Sequence, residues 1–141
     1  MPKPGPLNLI SDIDGVLVGH ATDEPRQSGV SVLRCAHAMN AAADVRGGGP
    51  GTRETDLLKP ENLVEQVDAI VLTGGSVFGL GAADGVVAEL SAQNIGLTTS
   101  AHGPTVPIVP AAVLHDLGNQ GEKNWGTKPP YSALGLSLIH I

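Results

Sequence analysis

Aromatic residues are almost missing from this 141-residue chain: Phe78, Trp125 and Tyr131 are the only ones. Its core must therefore be aliphatic, built from Ala, Val and Leu with glycines that let backbones approach closely. Cysteine is represented by Cys35 alone, which excludes an internal disulfide and fits a small buried hydrophobe in a reducing compartment. Basic residues are scarce, 8 against 14 acidic ones, for a net charge of −6, and Arg26 and Lys128 stand isolated in the sequence. With no basic block to neutralise phosphates, nucleic acid is excluded as a partner class. The span from Ser91 to Leu114 has no Asp, Glu, Lys or Arg, but Gln93, Asn94, Ser100, His102 and prolines interrupt it. It falls short of the roughly 20 predominantly apolar residues of a bilayer helix, so no membrane partner is expected. "MPKPGPLN" carries Lys3 without an apolar run behind it, which does not read as a secretory signal and sets a cytoplasmic expectation.

What is present fits one α/β domain of layered α and β elements, long enough to bury about two thirds of its unfolded surface. Residues 1–6 read as a leader. Leu7–Ile10 and Val16–Val18 read as short strands around a turn at Asp14-Gly15, and Val30–Leu33 as a further strand. Pro60 suits a first helical position, with Leu63, Val64 and Val67 as a short apolar stripe. The apolar run Ala69–Leu72 reads as a buried strand entering a glycine turn at Thr73-Gly74-Gly75. The spacing of Leu80, Ala83, Val87 and Leu90 then predicts a helix closed by Gly96. Gly81 and Gly85 would weaken that helix in isolation, which implies close packing against a neighbour. Pro107 and Pro110 make "VPIVPAAVLHDLG" an edge or irregular extended segment, and "NQGEKNWGTKPPYSALG" reads mostly as loop.

"SDIDGVLVGH" offers two aspartates one residue apart, the pattern of a haloacid-dehalogenase-type phosphatase in which Asp12 and Asp14 would be nucleophile and general acid. That chemistry also needs a lysine and further carboxylates for magnesium. After Thr73 the chain supplies only Lys123 and Lys128, and after Glu89 only Asp116 and Glu122. The turn reading of Asp12 and Asp14 is the better one.

Taken together, "SDIDGVLVGHATD", "VRGGGPGTRETDLL", "VDAIVLTGGSVFGLGAADGV" and "VPIVPAAVLHDLG" resemble the N-terminal half of the DmpA family, from Leu7 to Gly135. These are L-aminopeptidase/D-alanine esterases, with β-aminopeptidase and 6-aminohexanoate-oligomer hydrolase relatives. The family usually has proline where this chain has Asp14. The resemblance implies an incomplete αββα sandwich of the N-terminal-nucleophile type. In that chemistry a precursor cuts itself, and the newly exposed Ser or Thr attacks an amide or ester with its own α-amine as base. It implies no cofactor, a small peptide or amide substrate, the remainder of the precursor as a partner, and a homo-oligomer. The family's nucleophile lies beyond the matched region, so no catalytic nucleophile is assigned here and the chain alone is expected to be inactive. Leu136 to Ile141 depart from the family pattern and are expected to be a non-native tail. Outside this reading stands a non-catalytic small-molecule-binding or assembly domain.

Candidate substrate-binding residues are Thr73, Gly74, Gly75, Ser76, Phe78 and Gly79, because a strand ending in two glycines before a helix can offer free backbone N–H groups to a ligand. His115 matches a position that in the nylon-oligomer branch is a tyrosine stabilising the oxyanion, which makes it a candidate oxyanion contributor. "RGGGPGTRET" lacks the Gly-Lys-Ser/Thr ending of a phosphate loop and reads as a structural or pocket-lining loop, with local ion pairs among Arg53, Glu54 and Asp56. His20 reads as a hydrogen-bonded structural residue, and His37 and His102 show no metal-ligand spacing, so no metal is expected.

Overall fold

The computed structural model describes residues 3–139. Its strands are β1 (Val16–Asp23), β2 (Ser28–Asn40), β3 (Thr52–Arg53), β4 (Gln66–Thr73) and β5 (Ala111–Val113), and its helices are α1 (Ala82–Ala92) and α2 (Tyr131–Ser137). The strands form one sheet in the order β1-β2-β4-β5-β3, antiparallel except for the β4–β5 pair. That parallel pair follows from the intervening helix, which returns the chain to the same end of the sheet.

Alternation along the strands decides which residues meet the helices. Register pairs Val32 with Val71 and Val30 with Thr73, and these buried positions face α1 and α2. The core joins Val30, Val32, Ala69 and Val71 to Ala82, Ala83, Val86 and Leu90 of α1 and to Tyr131, Leu138 and Ile139. Gly85 and Gly135 explain how two helices fit over so aliphatic a sheet. A Cβ at Gly85 would overlap the Ser132 carbonyl, and one at Gly135 would overlap that of Ala82, so the helices pack backbone to backbone.

The intervening strand positions point the other way. Val18, Leu33 and Ile70 lie in one row, and His20, Ser31, Leu72 and Ala112 in the next. Both helices pack on the opposite face, and Leu72 is 50% exposed. Among the described residues the architecture is a mixed α+β layer pair, one sheet carrying α1 and α2 on one side only, which corresponds to half of an αββα sandwich. No helix among the described residues is long and apolar enough to cross a membrane.

Several elements differ from expectation. Leu7–Ile10 is not a strand: it bends into a 3-10 turn at Ile10–Asp12, held by the Asp12 carboxylate, which accepts the Leu7 and Leu9 N–H groups. No helix starts at Pro60. A 3-10 turn at Asp56–Leu58 precedes it, Leu63 is fully exposed, and Val67 already belongs to β4. Its stripe was too short to nucleate a helix against the pairing that β2 offers. The helix after the glycine turn begins as a 3-10 segment, Ser76–Gly81, and its left-handed C-terminal residue is Asn94 (φ 59) rather than Gly96.

The segment around Pro107 and Pro110 is irregular, as those prolines require, yet β5 directly after it sits inside the sheet between β4 and β3. The C-terminal stretch read as loop contains α2. Pro130 caps that helix, and Tyr131 and Leu138 are buried on one side of it. α2 runs past Gly135 through Ser137, with Leu138 and Ile139 buried; Met1, Pro2, His140 and Ile141 of the expected leader and tail lie outside the described residues. Apolar residues beside an open core edge are buried by the hydrophobic effect whatever their origin.

Candidate active site

The turn after β4 is braced from three directions. Leu114 N–H donates to the Thr73 carbonyl at 2.8 Å and Ser76 N–H to the Leu114 carbonyl at 2.9 Å, which locks the turn to the strand end that follows β5. Gly74 N–H donates to the Gly29 carbonyl of β2 at 3.0 Å. Asp116 completes the frame: its Oδ1 accepts Gly75 N–H at 2.7 Å and its Oδ2 accepts the Ser28 hydroxyl at 2.7 Å. Ser28 has then spent its hydrogen, so the Tyr131 hydroxyl, 3.1 Å away, donates to Ser28 Oγ. Gly75 takes φ +83, and a Cβ there would enter the Tyr131 ring, while one at Gly74 would overlap the Asp116 carboxylate. Only glycine fits either position.

The three aromatic residues of the chain gather behind this turn. Phe78 meets Trp125 edge-on at 5.5 Å, and Trp125 meets Tyr131 at 5.9 Å, both in the T-shaped arrangement that ring quadrupoles favour. Burial pushes the Tyr131 hydroxyl pKa above its ordinary value, with the nearby Asp116 and Asp23 charges acting in the same direction and the Ser28 hydrogen bond opposing. Sequence reading missed Ser28, Asp116 and Tyr131. Asp116 lies 41 residues from Gly75 and 88 from Ser28, so no local spacing could reveal the set.

The candidate residues divide between two faces. Ser76, with Val77 and Leu80, lines a cleft of about 290 Å³ opposite Gly49, Pro50 and Gly51, and His115 completes it. Thr73 and Gly74 instead border an apolar depression of about 330 Å³ on the helix-free sheet face, beside Ser31, Leu72 and Ala112. Phe78 packs on Trp125, and Gly79 is buried, with no room for a Cβ beside the Gly74 carbonyl. The expectation of several free N–H groups is corrected: those of Gly74, Gly75, Ser76, Phe78 and Gly79 all donate within the protein. Among the described residues of the turn, Val77 alone has an N–H without a partner, and it lies in the cleft wall with His115. A hydrogen-bond donor ring and a main-chain donor on one cleft suit a ligand carbonyl or carboxylate.

The remaining motifs are structural in their contacts. His20 Nδ1 lies 2.8 Å from Ser31 Oγ across β1 and β2. Asp12 and Asp14 precede β1 rather than following a strand, which removes the strand-end placement that a phosphatase nucleophile needs. Arg53 pairs with Asp84 of α1 at 2.5 Å rather than locally, Asp56 with Lys59 at 2.7 Å, and Glu54 accepts the Val109 N–H. Arg26, isolated in sequence, pairs with Asp23 at 2.8 Å. Cys35 is partly buried, which raises its thiol pKa, and the Asp68 charge adds to this. No group of three or more His, Cys, Asp or Glu side chains converges among the described residues.

Comparison of the sequence with known proteins points to one family. The sequence model of Peptidase family S58 matches residues 8–135. An uncharacterized aminopeptidase of Mycobacterium leprae is 48% identical over 120 residues, covering 79% of this chain and 33% of that protein. Uncharacterized aminopeptidases of Mycobacterium bovis and Mycobacterium tuberculosis are 44% identical over 147 aligned positions, covering 96% of this chain and 41% of each. The chain thus spans 33% to 41% of the length of these relatives. With that family model matching residues 8–135, nearly its whole length, the chain belongs to Peptidase family S58, the DmpA family of hydrolases.

Proposed function

We propose that this chain is the N-terminal part of a self-processing aminopeptidase that cleaves N-terminal amide or ester bonds of small peptides, with its nucleophile on the segment that follows. The observation that carries the reading is the helix-free sheet face. Val18, Leu33, Ile70 and Leu72 present an aliphatic surface with no helix layer over it among the described residues, in a chain spanning 33% to 41% of its relatives. The remainder of the precursor covers that face, and its newly exposed Ser or Thr attacks a carbonyl held at the cleft. The neutral α-amine beside the hydroxyl takes its proton and passes it to the departing amine or alcohol as the scissile C–N or C–O bond breaks, and water then hydrolyses the acyl-enzyme ester, so no separate base is required. His115 donates a hydrogen bond to the oxyanion as it forms. Assembly as a homo-oligomer in the cytoplasm, without nucleic acid, membrane or cofactor, goes with this reading.

The test is expression of the full-length precursor beside residues 1–139, with an amino-acid p-nitroanilide as substrate. The precursor is expected to split into two chains and turn over, and the fragment to do neither. His115→Ala in the processed enzyme is expected to lower kcat by about 100- to 1,000-fold, in the range of one lost oxyanion donor. A full-length protein that stays intact, folded and inactive would replace the hydrolase with a binding or assembly domain.

A further inference from the structure

We infer that Asp116 is a positioning residue for the cleft, holding His115 and the glycine turn in fixed relation. The inference rests on the hydrolase reading above.

Asp116 is the next residue after His115, and its two carboxylate oxygens are both committed: one to Gly75 N–H and one to the Ser28 hydroxyl, each at 2.7 Å. It therefore joins the far side of the turn to β2, while Leu114, on the other side of His115, is tied to Thr73 and Ser76 by two backbone hydrogen bonds. His115 is bracketed by residues fastened to the same turn, yet its own ring makes no hydrogen bond among the described residues. Its place over the cleft is set by those neighbours. The carboxylate sits in space kept open by the missing side chain of Gly74, where a Cβ would overlap both it and the Ser28 hydroxyl. Charge-assisted hydrogen bonds of this length are the strong ones, and a turn held by them does not relax freely. Ser28 extends the same hold to Tyr131, whose ring fills the space over Gly75.

The experiment uses the full-length protein with Asp116→Asn, Asp116→Ala and Ser28→Ala, reading kcat, KM, thermal melting and hydrogen exchange at the Gly75 amide. Asn keeps an oxygen for the Gly75 N–H but loses the charge; Ala loses both. The Gly75 exchange rate and the loss in kcat are expected to rise together from wild type through Asn to Ala. For Ala the fall in kcat is expected to reach about 10- to 100-fold, with KM changed less than about threefold, as displacement of a catalytic group by a fraction of an ångström produces. Ser28→Ala leaves the Gly75 bond in place and is expected to fall between wild type and Ala. Unchanged Gly75 exchange, or a kcat within twofold of wild type in folded Asp116→Ala, overturns the inference. If Ala fails to fold, Asn against wild type decides on the same two readouts. Wild-type protein that does not turn over refutes the hydrolase reading instead, and the Gly75 exchange then reports separately whether Asp116 holds the turn.

Discussion

Gly75→Ala tests the account of the turn most directly. Two costs add at this position. The backbone sits at φ +83, where an L-residue pays about 1–2 kcal/mol. The new methyl also enters the Tyr131 ring, and forcing a methyl into a filled site costs about 1–3 kcal/mol. The expected destabilisation is therefore about 2–5 kcal/mol, a large part of the stability of a domain this size. Gly47 supplies the control: its φ is +97 but nothing lies within 4 Å of a Cβ there. Gly47→Ala should lose only the backbone part, reduced by the smaller entropy of the unfolded chain, for about 0.5–1 kcal/mol. Urea unfolding followed by the fluorescence of Trp125, the single tryptophan and a neighbour of Tyr131, measures both variants. Equal costs at the two glycines would refute the claim that the ring fills the space over Gly75. So would additive costs in Gly75→Ala/Tyr131→Leu, since contacting residues should couple by about 0.5–3 kcal/mol.

Tyr131 is the only tyrosine, so tyrosinate absorbance titrates it alone; its midpoint should lie above the ordinary 10.0 when folded and return towards it in urea. Because the folded pKa is the higher one, this stabilisation is complete below about pH 10 and is lost as pH rises through the folded value, which alkaline melts should show and Tyr131→Phe should reduce. Leu90→Ala, at a fully buried position on α1, should cost about 2–5 kcal/mol in urea unfolding, whereas Leu63→Ala, fully exposed, should change stability by less than about 0.5 kcal/mol. Leu72→Lys, on the helix-free face, should leave the melt of residues 1–139 within about 1 kcal/mol of wild type while abolishing co-purification with the separately expressed remainder of the precursor.

Elements whose signal is local are legible along the chain. Ala69–Leu72 was a strand because four apolar residues ran into a glycine pair, and α1 followed from Leu80, Ala83, Val87 and Leu90 at helical spacing. The aliphatic core followed from the scarcity of aromatics. The family was legible from several segments agreeing in order, which no single motif could provide. Elsewhere, competing long-range contacts outweighed local preference. The apolar stripe after Pro60 gave way to pairing of Val67 with Met39 of β2, and α2 formed because Tyr131 and Leu138 had a core to enter. The turn N–H groups, free in principle at a strand end, were consumed by Gly29 on one distant segment and by Leu114 and Asp116 on another. The site divides along the same line: Gly74 and Gly75 announced a turn, but only folding brought Ser28, Asp116 and Tyr131 to it, because such contacts join residues whose separation along the chain carries no periodic signal.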